Sequence, residues 1–436
     1  PGELLFLMPI HYEQARQLKL ENPECLVYAS GRVYAGSSPR SMSVGLAPED
    51  LPFAPGLAEL VLKLHLDEQC YARLGGMPGK RDLVRKDIQM AQQYDELLVR
   101  LLVWSRSHNS QPARTIASLL DWQREELGAV ARLGATREIG AIFRPMDSFR
   151  VQEEDSGLPM PIPGMALYSL PELALPLPHL PHLLPLSPLS HQGDQAPPFL
   201  PSIAGRAESI GEVDKAGTVG APRAPRTARP LQCAAAQLIA HFLEGQGQEP
   251  TPAAVRLAFV RLLVKPTADL FFALASRGIT FEMHGQNTLL RFDSSSREVR
   301  HVVLRDLHAL NLDPTDETAM ALFPRMTGEL ERAWFYQDNQ IKPRFRPESM
   351  YGECFNTYLS AFYYQLILAL RNQGIFEDRK LLALQGAVQY QVMQSAAAHG
   401  FDLNRLRTEK HRPCALSFPP NGGVMDTSFF VPARSS

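Results

Sequence analysis

Apolar positions along this chain recur with two different periods. Short runs rich in β-branched and aromatic residues, bounded by Gly, Ser or Asp, predict strands at Leu4–Ile10, Arg32–Ala35, Ile279–Met283, Thr288–Phe292 and Val299–Leu304. Leu60–Leu66 alternates around Lys63 and His65, and Val130–Phe143 reads as a strand pair. Helical spacing predicts α-helices over Arg85–Trp104, Thr115–Leu127, Phe355–Arg371 and Asp378–Ala398. A further helix starts at Thr251-Pro252, a hydroxyl N-cap with proline in the first turn, and runs toward Arg277. Gly278 suits its left-handed cap, and Pro266 inside it predicts a kink or a break. Strands and helices in separate runs define an α+β chain with an antiparallel sheet and a helical C-terminal lobe.

Glu153–Gln232 differs in kind. Its proline density removes ladder donors and fixes φ, so neither helix nor sheet should propagate there. It divides the chain into a first lobe (1–152), a Pro-rich insertion (153–232) and a second lobe (233–436).

The chemistry gathers between Gly278 and Asp306. Glu282, His284, Gln286 and Asn287 lie between two strand-like runs, and a third run ends on Arg305-Asp306. In an extended chain Glu282, His284 and Gln286 would share a face, with Phe281 and Met283 turned into a core. The returning chain brings Asp306 to the same end. Two carboxylates and a carboxamide are the oxygen donors that a hard cation such as Mg²⁺ takes, usually shared with phosphate and water.

The pattern E-x-H-x-Q-N, then a short hairpin, then R-D resembles the signature of the NRPS-independent siderophore (NIS) synthetases of the aerobactin-synthetase type. What the resemblance implies is a palm-like antiparallel sheet and an ATP- and Mg²⁺-dependent ligase. Such a ligase adenylates a carboxylate, commonly of citrate, and passes the acyl group to an amine, hydroxylamine or alcohol. It implies Glu282, Asn287 and Asp306 as metal ligands, with His284, Gln286 and Lys63 as catalytic residues. Ser38, Arg40 and Ser41 match the family's S-x-R-T phosphate grip, with Ser for Thr. A hydroxyl and a forked guanidinium suit phosphate oxygens. Lys63, Arg305 and Arg73, the last on an expected strand-turn, complete the implied nucleotide contacts. His11 and Gln14 match a V-H-P-W-Q type motif in part, and Lys410 or Arg412 echoes the family's C-terminal lysine. Three departures point to an alternative, a catalytically inactive homologue that binds a partner. These are the missing N-terminal region, Leu307-His308 in place of a Gly-rich continuation, and the insertion.

Taken alone, the same residues have plainer readings: SSPRS as a solvated loop, Lys63 on the wet face of a strand, His11 as a hydrogen-bonded strand end. Composition narrows the classes. Among 436 residues, 45% hydrophobic and 21% charged content fits a globular chain, and a net charge of −2 supplies no field for nucleic acid or anionic membrane. No apolar run is long enough to span a bilayer. Five scattered cysteines without CxxC spacing favour reduced thiols in the cytoplasm. The first residue is not Met, so a fragment of a longer protein is expected. The expected partners are small carboxylate and amine substrates, and a homodimer is compatible with that reading.

Overall fold

The computed structural model describes residues 10–21, 32–38, 41–45, 59–73, 83–125, 127–133, 137–145, 161–164, 167, 234–293, 298–313, 315–322, 347–372, 378–406, 417–418 and 423–424. Of the insertion, only a short piece and Leu167 fall inside those limits. The strand expected at Leu4–Ile10, along with Arg40, Lys410 and Arg412, lies outside the described residues.

Two sheets face the site. The first is antiparallel throughout. It is built from β1 (Arg32–Ser38), β2 (Ser41–Gly45), β3 (Glu59–Leu64), β5 (Leu127–Leu133) and β6 (Arg137–Pro145), in the order β1-β2-β3-β6-β5. The second has the order β4-β10-β9-β7, with β4 at Leu120–Trp122, β7 at Ile162–Pro163, β9 at Thr288–Phe292 and β10 at Val299–Leu304. Here β9 and β10 form the expected hairpin, while β4 runs parallel to β10. A proline ends β7, tolerable because that strand lies at the sheet edge.

Two expectations are corrected. The helix predicted over Thr115–Leu127 instead spans Gln111–Leu119 (α4), following α1 (Tyr12–Glu21), α2 (Glu68–Arg73) and α3 (Arg85–Ser107). Ser110 caps α4 by accepting from Ala113 N–H, Pro112 fits its first turn, and Leu120 onward is drawn into β4 by pairing with β10. Arg73 closes the short helix α2 rather than a strand-turn. The two runs that flank the polar cluster belong to different sheets. Ile279–Phe281 (β8) pairs with Leu310–Leu312 (β11), so the cluster links two separate sheets.

The helical lobe supports that link. α5 is Ala234–Gly245, and Thr251 caps α6 (Pro252–Phe259) as expected, accepting from Ala254 N–H at 3.2 Å. Pro266 produces neither a sharp kink nor a full break. A π-helical turn, Val260–Val264, joins α6 to α7 (Lys265–Ala275), and its extra residue carries the chain past a proline that has no N–H to give. A second π turn, Leu359–Tyr363, joins α9 (Pro347–Tyr358) to α10 (Tyr364–Asn372), after the short α8 (Glu317–Leu322). The two turns meet: Tyr363 donates its hydroxyl to Val264 O at 3.0 Å, and Tyr358 donates to Thr267 Oγ1 at 2.7 Å. α7 also packs on α4 and on α11 (Asp378–Ala398), with Phe271, Phe272, Phe355 and Phe362 filling the core between. Among the described residues no helix is long and apolar enough to cross a membrane.

Gly278 sets where β8 begins. Its φ of +70° is left-handed, and an added Cβ would stand 2.4 Å from the Cβ of Asp316. Gly278→Ala should therefore cost roughly 2–4 kcal/mol, strain and crowding together, measured by urea unfolding. Gly247, at φ +63° with nothing within 4 Å of an added Cβ, should lose about 1 kcal/mol on the same change. Equal losses at the two glycines would show that Asp316 does not crowd the turn.

Candidate nucleotide and metal site

Strand alternation on the first sheet places Lys63 and Arg144 on one face. Lys63 on β3 stands opposite Ile142 on β6, and Arg144 follows two residues later on that strand. Both side chains are fully buried. This overturns the wet-face reading of Lys63.

The second sheet delivers the partner. β10 ends at Leu304, Arg305 N–H donates to Asn287 O at 2.9 Å, and Asp306 turns left-handed at φ 67°. Lys63 Nζ lies 3.1 Å from Asp306 Oδ1, and Arg144 donates to the same oxygen. Arg144 also pairs with the buried carboxylate of Glu125. Glu125 in turn clamps the turn: its two oxygens accept from the N–H groups of Asp306 and Leu307, each at 3.2 Å. Its position follows from β4, since Gln123 N–H extends the parallel ladder to Leu304 O at 2.9 Å. Below this, Asp121 on β4 and Arg291 on β9 form a wholly buried pair at 2.7 Å.

Burial alone would raise the pKa of Asp306. The charges of Arg144 and Lys63, with His308 and Arg305, outweigh it and hold the carboxyl well below the usual range. Burial pulls Arg305 down to about 10, with Asp306 opposing and Arg144 assisting. Arg144 is also disfavoured by burial, but Asp306 and Glu125 raise its pKa beyond the ordinary value, so it stays charged.

Leu307–Ala309 forms a 3₁₀ turn, which brings His308 over Lys63. Lys63 Nζ is 3.0 Å from His308 Nδ1 and 3.3 Å from Nε2. An ammonium can donate only to a ring nitrogen that carries no proton.

The polar cluster is a turn rather than a strand. Asn287 and Thr288 N–H groups both donate to His284 O, and Gly285 N–H reaches Ala361 O in the second π turn. Glu282, His284 and Gln286 therefore do not share one face as strand alternation would have it. Glu282 is buried, His284 half-buried and Gln286 exposed, while Phe281 and Met283 do enter the core. Glu282 N–H bonds Ala309 O at 3.2 Å, and Asn287 Nδ2 donates to Glu282 O at 3.4 Å. Arg305 Nε donates to Gln286 O at 3.0 Å.

Ser38 and Ser41 end the facing strands of the β1–β2 turn, and Ser41 stands in register with Lys63. Ser41 thus lies beside Lys63 along the sheet, with Ser38 across from Ser41. His11 is buried at the start of α1, where its Nδ1 accepts from Glu13 N–H at 3.2 Å, a helix-capping contact. Gln14 bonds Asp67 in both directions, to Oδ2 and from N–H.

Among the described residues no group of three or more His, Cys, Asp or Glu is arranged to hold a metal. The oxygens of Glu282, Asn287 and Asp306 suit a hard cation that fills its remaining shell with phosphate and water, the usual habit of Mg²⁺. Lys63 and Arg144, buried beside Asp306, are cations of the kind that suit phosphate.

Sequence comparison finds no family profile and no characterised protein that match this chain. Solved structures do match. The petrobactin biosynthesis protein AsbB from Bacillus anthracis str. Sterne shares 14% identity over 90% of this chain and 51% of its own, with a TM-score of 0.52. The aerobactin synthetase IucA from a hypervirulent pathotype of Klebsiella pneumoniae gives 12% identity, 89% and 52% coverage, and a TM-score of 0.46. The aerobactin synthetase IucC from the same pathotype gives 13%, 85% and 48%, and 0.44. The chain spans about half the length of these proteins. At such identity what it shares with AsbB is the fold, an arrangement of helices and small antiparallel sheets.

Arg144→Met would leave the Glu125 and Asp306 carboxylates short of their shared cation, and should cost about 3–5 kcal/mol at neutral pH. The native Asp306 pairing stabilises fully above the unfolded carboxyl pKa, about 3.9, and is lost as pH falls through its depressed folded value. In the variant Asp306, without its largest favourable charge, takes up a proton more readily. The gap between the two proteins in urea should therefore shrink from pH 7 toward pH 4. A gap independent of pH would mean that Arg144 acts by packing alone.

Proposed function

We propose that this chain binds ATP with Mg²⁺ at the junction of the two sheets and adenylates a carboxylate, citrate or a similar polycarboxylic acid. The activated acyl group then passes to an amine, hydroxylamine or alcohol, as in siderophore biosynthesis in the cytoplasm. The observation that carries this reading is the 3.1 Å contact between Lys63, from the first lobe, and Asp306, from the second. It brings the expected phosphate cation and the expected metal carboxylate to one place. The AsbB-like fold supports it.

Lys63, with Ser38, Arg40, Ser41, Arg73 and Arg305, would neutralise the triphosphate. Glu282, Asn287 and Asp306 would hold the metal, which when bound supplies positive charge to the phosphate oxygens. His284, half-buried at the turn, would hydrogen-bond the substrate carboxylate, and Gln286 would orient it. A carboxylate oxygen forms a bond to the α-phosphorus as the bond to pyrophosphate breaks. Most of the catalysis then comes from placement and from cations that absorb charge on the leaving group.

Saturating Mg·ATP should raise the unfolding free energy by about 2.7 kcal/mol at one hundred times Kd, seen as a thermal shift. No shift would favour a binding protein without nucleotide chemistry. His284→Ala should retain that shift yet abolish carboxylate-dependent pyrophosphate exchange. Undiminished exchange would remove His284 from the mechanism.

A further inference from the structure

We propose that Asp306 is the site's resident anion, which holds Lys63 and Arg144 until a polyphosphate and a divalent cation arrive together and displace it by exchange. This rests on the ATP reading above and adds how the site is regulated.

The contacts set up the exchange. Lys63 and Arg144 face Asp306 and Glu125, so the directly paired charges balance. Glu125 is committed: it is fully buried and spends its oxygens on Arg144 and on the two N–H groups of the turn. Asp306 is the member with a route out. Its side chain is 22% exposed, whereas those of Lys63, Arg144 and Glu125 are at 0%. Arg144 holds donors in reserve, because its Nε and Nη1 are buried without a hydrogen-bond partner among the described residues. A buried donor left unmade costs about 1–3 kcal/mol, so an incoming phosphate oxygen gains more from Arg144 than from an already satisfied guanidinium.

Either ligand alone meets resistance. A divalent cation that takes Asp306 removes the carboxylate from Lys63 and leaves Arg144 with Glu125 alone. A polyphosphate that takes Lys63 and Arg144 strands a carboxylate. Together each supplies the charge the other removes, so their binding must be positively coupled, and reciprocally so. The proposal also assigns Arg144 as a phosphate-binding residue and Glu125 as a positioning residue that keeps the Asp306 turn in place while its side chain changes partners.

Calorimetry on the full chain tests this with ATP in EDTA, MgCl₂ alone, and ATP with MgCl₂. In the wild type Mg²⁺ alone should give no binding heat, and Mg²⁺ should tighten ATP roughly tenfold or more, within the usual range of coupling. Asp306→Asn removes the resident charge, and Asn tolerates the left-handed backbone. This variant should bind metal-free ATP at least tenfold more tightly than the wild type and lose most of the Mg²⁺ effect. Circular dichroism confirms its fold. If it does not fold, the wild-type coupling still decides: independent binding of the two ligands overturns the exchange. Metal-free affinity unchanged or weakened in folded Asp306→Asn also overturns it, while leaving the ATP site standing. No ATP binding by either protein, with or without metal, overturns both readings.

Discussion

One carboxylate set against two buried cations organises this molecule. Asp306 is where the five-stranded sheet of the first lobe meets the β9–β10 hairpin of the second, adding a carboxylate from the second lobe to the Arg144–Glu125 pair of the first. Lys63 and Arg144 come from adjacent strands of one sheet, Asp306 from the end of a strand in the other. Burying such groups separately would cost several kcal/mol each. The desolvation is tolerable only because the charges face one another and Glu125 satisfies the backbone of the turn. Side chains that carry the candidate chemistry are thus also those that set the register between the two sheets. A variant in this cluster will move stability and binding together.

The helical lobe fixes the other side of the turn. Two π turns face each other across the core, bridged by the hydroxyls of Tyr358, Tyr363 and Thr267. One of them presents the Ala361 carbonyl to Gly285 N–H in the middle of the polar cluster. Helical geometry is broken where it must reach the site, a frequent use of π turns. Glu282 and Asn287 are held by the backbone of Ala309 and by each other, so hydrogen bonds to main-chain carbonyls preorganise the cluster.

Local signals in the chain were accurate where one residue's own chemistry decides the backbone. Thr251 and Pro252 open a helix, Gly278 closes one left-handed, and Pro266 disturbs the helix it sits in. Lys63 in an alternating strand, and Arg305-Asp306 returning to the polar cluster, were legible from periodicity and motif. The failures are all of partnership. Periodicity does not say which strand pairs with which, so nothing in the sequence announces that the hydrogen bonds of β8 go to β11. Glu125 was hidden because its stretch reads as helix until pairing with β10 draws out β4. Arg144 lay just past the predicted strand pair, and a lone arginine at a strand end gives no sign of burial. His308 registered only as a departure from the resembled motif, although the 3₁₀ turn puts it on Lys63.

The most direct measurement is a crystal structure of the chain with a non-hydrolysable ATP analogue and Mn²⁺, read by the anomalous signal of the metal. A manganese peak beside Asp306, with phosphate density against Lys63 and Arg144, is the expected result. Nucleotide bound elsewhere, with Asp306 still paired to both cations, would contradict the account.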